Sequence, residues 1–407
     1  MFLSARYILP ITQPPIPNGW IETAKGRIVR VGQGPAPAGA RDLGDVALLP
    51  GLVNAHTHLE LSWLAGRIRP AASIVDWIRS LMAERAAGPT GGDAAVTRAA
   101  RAAAADMRRS GTVLVGDISN SLISPAILRE AGLGGIVFHE IVGFNVQAPV
   151  LVVQDAWRRV EAVGGSSDMS SDGARGPALQ IGVVGHAPYS VSAALMSEIA
   201  RHNRGVPLSV HVAESAEEIE LLRSGSGPFR ELLEDLDVWN PAWEVPQCDP
   251  VEYLRQVDYL KAGLLAVHAV HLTDDALDAL REAGAVVVTC PRSNEWVGGG
   301  IPRVTHFYAA GIPVAIGTDS LASAPSVSLF DELAELRRIA PDVTAASLLD
   351  SATRVGAEAL GRGADYGTLA PGRRARLVSV AIPPGTTDVE EYLVSGVPPA
   401  AVRPIQG

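Results

Sequence analysis

Lysine is nearly absent from these 407 residues: only Lys25 and Lys261 occur. Cysteine is equally rare, and Cys248 and Cys290 sit in unlike surroundings, which excludes a disulfide framework and suits a reducing compartment. Positive charge is outweighed as well, with 34 Lys and Arg against 44 Asp and Glu. A formal net charge of −10 argues against a nucleic-acid or anionic-membrane surface and for a small-molecule substrate. No apolar run reaches the roughly 18 residues of a membrane span. The opening "MFLSARYILPITQPPIPNGW" is broken by prolines and has no positively charged n-region, so a cytoplasmic protein is expected. A homodimer is compatible with all of this.

Hydrophobic residues are plentiful, at 47% against 19% charged, so the chain can bury a sizeable core. Short apolar runs alternate with helical periodicity from about residue 48 to 360. The strand candidates are 47–58, 112–119, 134–144, 179–190, 207–215, 263–272, 285–294 and 313–320. Eight continuous apolar strands separated by helices predict an α/β fold, a closed (β/α)8 TIM barrel over 47–362, because its strands are covered on both faces. Residues 1–46 and 363–407 read as short strands with Gly and Pro turns, which predicts a small β-sandwich domain built from both termini. "GPTGGD" (88–93) and "GGSSDMSSDGARG" (164–176) read as mobile loops. A long insertion, 216–262, carries Trp239 and Trp243 and reads either as a lid or as a loop that these tryptophans anchor.

Polar residues gather at the C-terminal end of each predicted strand, the rim where chemistry sits in this architecture. His56 and His58, two apart on one strand, aim two imidazoles to the same side. Alone that motif is weak, but His211 closes the fifth strand and Asp319 the eighth. Three histidines and an aspartate offer one divalent metal ion per chain, Zn²⁺ or Fe²⁺, four N and O ligands with a position left for water. His139 and Glu140 alternate on strand three, so one faces inward, and Glu140 is a candidate substrate contact. Arg292 and Asn294 flank Ser293 after strand seven and are candidates to read a substrate's edge or to hold their loop. Glu60 keeps the parity of His56 and His58 and reaches the pocket only if the strand continues that far. Cys290 reads as core.

"PGLVNAHTH", "HAPYS", "HVAES", "HAVHLTDD", "CPRSN" and "GTDSLAS", in this order on successive strands, resemble the amidohydrolase superfamily and, within it, the cytosine deaminase and chlorohydrolase-like branch. The resemblance spans almost the whole chain, and its motifs are specific jointly. It implies metal ligands at His56, His58, His211 and Asp319, a proton-shuttling Glu214, a catalytic His268 and a substrate-contacting His186. Binuclear relatives bridge two metals through a lysine at the end of strand four. That strand here ends "VVGHAPYS" without one, which implies a single ion. The implied reaction is attack by a water whose pKa the ion lowers to about 7. Asp319 would accept the water proton, His268 stabilise the tetrahedral centre, and Glu214 protonate a ring nitrogen as ammonia leaves.

"NAHTHLELSW", "EIVGF", "DPVEYL" and "CPRSN" look most like the aminodeoxyfutalosine deaminases of menaquinone biosynthesis. That implies hydrolysis of 6-amino-6-deoxyfutalosine to futalosine and ammonia. The alternatives are another aminoheterocycle, namely adenosine, S-adenosylhomocysteine, guanine or cytosine, or a triazine-type chlorohydrolase. A non-catalytic metal-binding barrel is the alternative of another class.

Overall fold

The computed structural model describes residues 1–90, 93–164 and 178–406. Gly91 and Gly92 of the first expected mobile loop, and all but the first residue of the second, lie outside the described residues. Five strands come first: β1 (Phe2–Ile8), β2 (Ile16–Ala24), β3 (Arg27–Gln33), β4 (Arg41–Asp42) and β5 (Val46–Pro50). Eight follow in the barrel region: β6 (Leu52–Thr57), β7 (Thr112–Ser119), β8 (Gly134–Ile141), β9 (Leu179–Gly185), β10 (Ser209–Val212), β11 (Leu265–His268), β12 (Val286–Thr289) and β13 (Val314–Ile316). The last two are β14 (Arg376–Ala381) and β15 (Val402–Gln406).

Both termini build one mixed sheet in the order β15-β14-β5-β1-β2-β3, with β4 beside β1. The strand expected over 47–58 is therefore two strands. Val46–Pro50 pairs antiparallel with β14, and Leu52–Thr57 pairs parallel with β7. The chain changes sheets at Gly51, whose N–H donates to Arg376 O while the next N–H, of Leu52, donates to Gly111 O. A Cβ at Gly51 would overlap Val113, so the crossing needs glycine. An unbroken apolar run hides such a switch, because both halves are buried.

The barrel consists of two four-stranded parallel sheets, β6-β7-β8-β9 and β10-β11-β12-β13. One seam joins β9 to β10 through His211 N–H, which donates to His186 O at 2.9 Å. The other joins β13 to β6, where Thr57 pairs with Asp319 and Thr318 N–H donates to His56 O at 3.0 Å. Asn54 pins that seam from inside: Nδ2 donates to Thr318 Oγ1 at 2.7 Å and Oδ1 accepts from Thr318 N at 3.1 Å. The strands read as continuous apolar runs because they are covered on both faces; all eight residues of β7 are buried. The helices cover the outside with one apolar stripe each, as in Ala94–Arg109, which buries Val96, Ala100, Ala103, Ala104 and Met107. Among the described residues no helix is long and apolar enough to cross a membrane.

Gly317 lies at the β13 seam, where an added Cβ would stand 2.7 Å from His56 Cβ and 2.8 Å from Cys290 Sγ and His56 O. Gly317→Ala should lower the free energy of unfolding by about 1–3 kcal/mol, seen as a lower urea midpoint. An unchanged midpoint would show that the seam has slack.

Candidate active site

The polar rim lies where short strands end and the backbone turns sharply. Ala213, His268, Ala269 and Asp319 all have positive φ, between 50° and 73°. Non-glycine residues hold that left-handed conformation only when surrounding contacts over-determine it, and such residues cluster at functional sites. Here the turns carry Glu214, His268 and Asp319 off their strands and over the barrel mouth.

His56 and His58 leave β6 on one side, as their parity requires, and His211 reaches them from β10. The Nε2 atoms of His58 and His211 lie 3.1 and 3.2 Å from His56 Nε2. Asp319 Oδ1 is 3.4 Å from His58 Nε2 and 3.9 Å from His56 Nε2. Ligands of a tetrahedral ion bound at about 2.0–2.1 Å stand about 3.3–3.4 Å apart, so these four atoms are already near the required spacing. Burial, reinforced by the neighbouring imidazoles, holds His56 and His211 well below the usual imidazole range. Ring nitrogens converging at this spacing can share one cation, and the residues fit a divalent metal ion.

Asp319 supplies the negative charge. Burial raises its pKa, but the imidazoles of His58, His268 and His56 and the Ser293 hydroxyl outweigh that and bring it down to about 2. Ser293 Oγ donates to Asp319 Oδ2, and Ser323 Oγ lies 3.0 Å from the same oxygen. Oδ1 is left facing the histidines. Ser323 was not singled out from the sequence; "GTDSLAS" places it four residues after the aspartate, one helical turn on, which is the signal that could have found it.

His268 and Glu214 stand beside this group, with His268 Nε2 3.4 Å from Glu214 Oε1. Burial carries His268 down to about 4, against the pull of Asp319. Burial pushes Glu214 well above the carboxylate range, and the Asp319 and Glu218 carboxylates add to it. Asn294 Nδ2 lies 2.9 Å from His268 Nδ1, so as an amide donor it leaves the imidazole proton on Nε2, towards the cavity.

A cavity of about 440 Å³ opens from this rim. His58, Asn120, Glu140, His186, His211, Glu214, His268 and Asp319 line its inner end. On β8 it is Glu140 that faces inward, while His139 turns the other way and sets Nδ1 3.0 Å from Ser119 O. His186 Nδ1 is held by Ser190 Oγ at 2.6 Å. Glu140, His186 and His211 form a second grouping of ligand-type atoms on the far side of the His211 ring.

Three residues expected at the substrate do not line the cavity. Arg292 lies in the helix Pro291–Trp296 and turns outward to the buried Glu332, 3.4 Å away, and to Ser326 Oγ. Asn294 reaches His268 rather than the cavity. Glu60 falls in the 3₁₀ turn Leu59–Leu64, which ends the strand parity it needed. Its carboxylate accepts from Ser119 Oγ and from the backbone N–H groups of Asn120 and Ser121. That fixes Asn120, whose Nδ2 donates to Glu140 Oε2 at 3.1 Å.

The outer end of the cavity is apolar, and the 216–262 insertion, read as a lid or an anchored loop, forms one of its walls. Ile74, Trp77, Ile78 and Leu81 line it from the helix Ile74–Ala87, spaced i, i+3, i+4, i+7, a pattern visible in the sequence but unassigned to the site. The insertion faces them with Phe229, Leu232, Leu233 and Val238. Trp239 stacks on Phe144 at 5.7 Å between ring centroids, and Trp243 lies 5.4 Å from the same ring. Among the described residues Arg85 is the one arginine lining the cavity.

A profile of the amidohydrolase family matches residues 47–400. An aminodeoxyfutalosine deaminase of Deinococcus radiodurans is 30% identical over 343 residues, 80% of this chain and 76% of that protein. A 5-methylthioadenosine/S-adenosylhomocysteine deaminase of Syntrophobacter fumaroxidans is 31% identical over 351 residues, 83% of this chain and 73% of the relative. Among solved structures, an adenosine deaminase of Xanthomonas campestris with bound zinc is 25% identical with a TM-score of 0.78, covering 100% of this chain and 93% of the other.

Ser293→Ala removes a donor that orients Asp319. It should weaken metal binding by on the order of 10–100-fold, measured by competition with a chelator. Wild-type affinity in the variant would mean that Ser323 alone suffices.

Proposed function

The chain belongs to the amidohydrolase family and is a hydrolytic deaminase, and from that premise we propose that its substrate is an adenine nucleoside with an apolar, anion-terminated extension. The leading candidate is 6-amino-6-deoxyfutalosine, converted to futalosine and ammonia in a route to menaquinone. The observation that carries this reading is the two-ended cavity: buried imidazoles and carboxylates at one end, an apolar channel with Arg85 at the other. Such a channel suits an aryl carboxylate attached to the ribose. The Deinococcus radiodurans relative supports it.

His56, His58, His211 and Asp319 would hold one divalent ion, Zn²⁺ or Fe²⁺, and strand four contributes His186 where a bridging lysine would be needed for a second. When bound, the ion supplies Lewis acidity and a water that loses its proton near neutral pH. Asp319, whose Oδ2 is held by Ser293 and Ser323, would take up a proton lost from that water and return it to the departing amine. Burial pushes Glu214 well above the carboxylate range, which suits it to donate a proton to a ring nitrogen. His268 presents its Nε2 proton to the charge that develops at the attacked carbon. Glu140 and His186 offer an acceptor and a donor for the sugar hydroxyls. The apolar walls exclude water from the ring once it is seated.

A 5′-methylthio group also suits the apolar channel. The Syntrophobacter fumaroxidans relative supports 5-methylthioadenosine or S-adenosylhomocysteine as a second reading.

Glu214→Gln should retain its metal and lose on the order of 10²–10⁴ in kcat, followed as ammonia release. On a panel of 6-amino-6-deoxyfutalosine, 5-methylthioadenosine, S-adenosylhomocysteine and adenosine, the first should show the highest kcat/KM. If the metal-loaded protein frees no ammonia from any of them, the nucleoside reading is wrong. Arg85→Gln should raise KM for the anion-tailed substrate about fivefold, an effect of ~1 kcal/mol, and leave adenosine unaffected. An equal change for both would remove Arg85 from substrate selection.

A further inference from the structure

Glu218 is wholly buried, yet it touches neither the cavity nor a cation among the described residues. It stands in the first turn of the helix Ala216–Ser224, and its backbone N–H donates to the capping Ser215 Oγ at 3.2 Å. Ser and Glu at this spacing form a capping box, in which the glutamate normally turns back to the N–H of the cap residue itself. Here the carboxylate reaches further. Glu218 Oε2 accepts from Glu214 N–H at 2.9 Å, and the neighbouring Ala213 N–H also favours its charged form. Those two N–H groups belong to the left-handed turn, with Ala213 at φ 50°, that swings Glu214 off β10 and into the cavity. The other side of the turn is pinned by His271 N–H, which donates to Ala213 O at 2.8 Å. Glu218 Oε1 has no partner, although it is buried. A carboxyl left half-satisfied in the interior is destabilising unless its bonds on the other oxygen do something the fold needs.

We propose that Glu218 is a positioning residue for deamination: its carboxyl oxygen locks the Ala213–Glu214 turn and so holds the Glu214 carboxyl at the reacting ring. The inference rests on Glu214 being the proton donor. Glutamine keeps an acceptor oxygen at the same place, whereas methionine keeps only the volume. Glu218→Gln should stay within about threefold of wild-type kcat. Glu218→Met should lose on the order of tenfold to a hundredfold in kcat, with metal content intact and KM changed little, because the ligands and the apolar walls lie elsewhere.

The distinguishing measurement is the double variant. Once Glu214→Gln has removed the donor, adding Glu218→Met should lower kcat no further, since two residues acting through one proton transfer are not additive. Losses that multiply in the double variant would overturn the proposal, as would a folded, metal-loaded Glu218→Met with wild-type kcat. Equal losses in Glu218→Gln and Glu218→Met would overturn the role of the acceptor oxygen. If Glu218→Met does not fold, Glu218→Ser, which leaves room for water, serves in the same comparison. The two readings fail separately: Glu214→Gln with full activity sinks the donor role, and an inactive Glu214→Gln beside an unaffected Glu218→Met sinks this inference alone.

Discussion

Closure of the barrel between β13 and β6 is the constraint on which the site depends. His56 and His58 sit near one end of the chain and Asp319 lies more than 260 residues later. The pairing of Thr57 with Asp319, the bonds from Thr318 and Asp319 N–H to His56 O, and those from His58 N–H and Thr57 Oγ1 to Asp319 O bring the aspartate beside the histidines. Asn54 and Thr318 add side-chain bonds to the same seam, and Gly317 lets the strands approach. Parallel strands have no hairpin to hold their register, so side chains at the seam carry that burden.

Bringing imidazoles and carboxylates together in a buried space is destabilising by itself, because each charged form is stripped of water. The chain offsets this with hydrogen bonds directed at particular atoms. Ser293 and Ser323 hold Asp319, Asn294 holds His268, Ser190 holds His186, and Asn120 holds Glu140. Each leaves the opposite face of its partner free for the cavity. What emerges is a spread of acidities: Asp319 is brought down to about 2, burial lowers His211, and burial raises Glu214. A hydrolysis needing both a base and an acid in one site requires such a separation.

The outer half of the cavity obeys different physics. The helix after β6 and the insertion after β10 both line it with apolar side chains, and the insertion packs Trp239, stacked, and Trp243, tilted, against Phe144. Under the proposed function, catalysis would fall to groups at the strand ends and selection among substrates to helices and loops, which can vary without disturbing the barrel.

The eight apolar runs and the polar residues at their ends determined the fold class, the rim and the four ligand-type residues, because strand burial and side-chain parity are local properties of the chain. Tertiary structure decided the rest. Parity carried past a strand's end misplaced Glu60, since a 3₁₀ turn intervenes. Arg292 and Asn294 stood near the rim in sequence, but a short helix turned one outward to Glu332 and the other behind His268. The switch of sheets at Gly51 was hidden because both flanking strands are buried. The apolar end of the cavity exists only where two distant helices face each other. Which side of a polar residue meets the substrate depends on what occupies its other side, and that neighbour is chosen by the packing of the whole barrel.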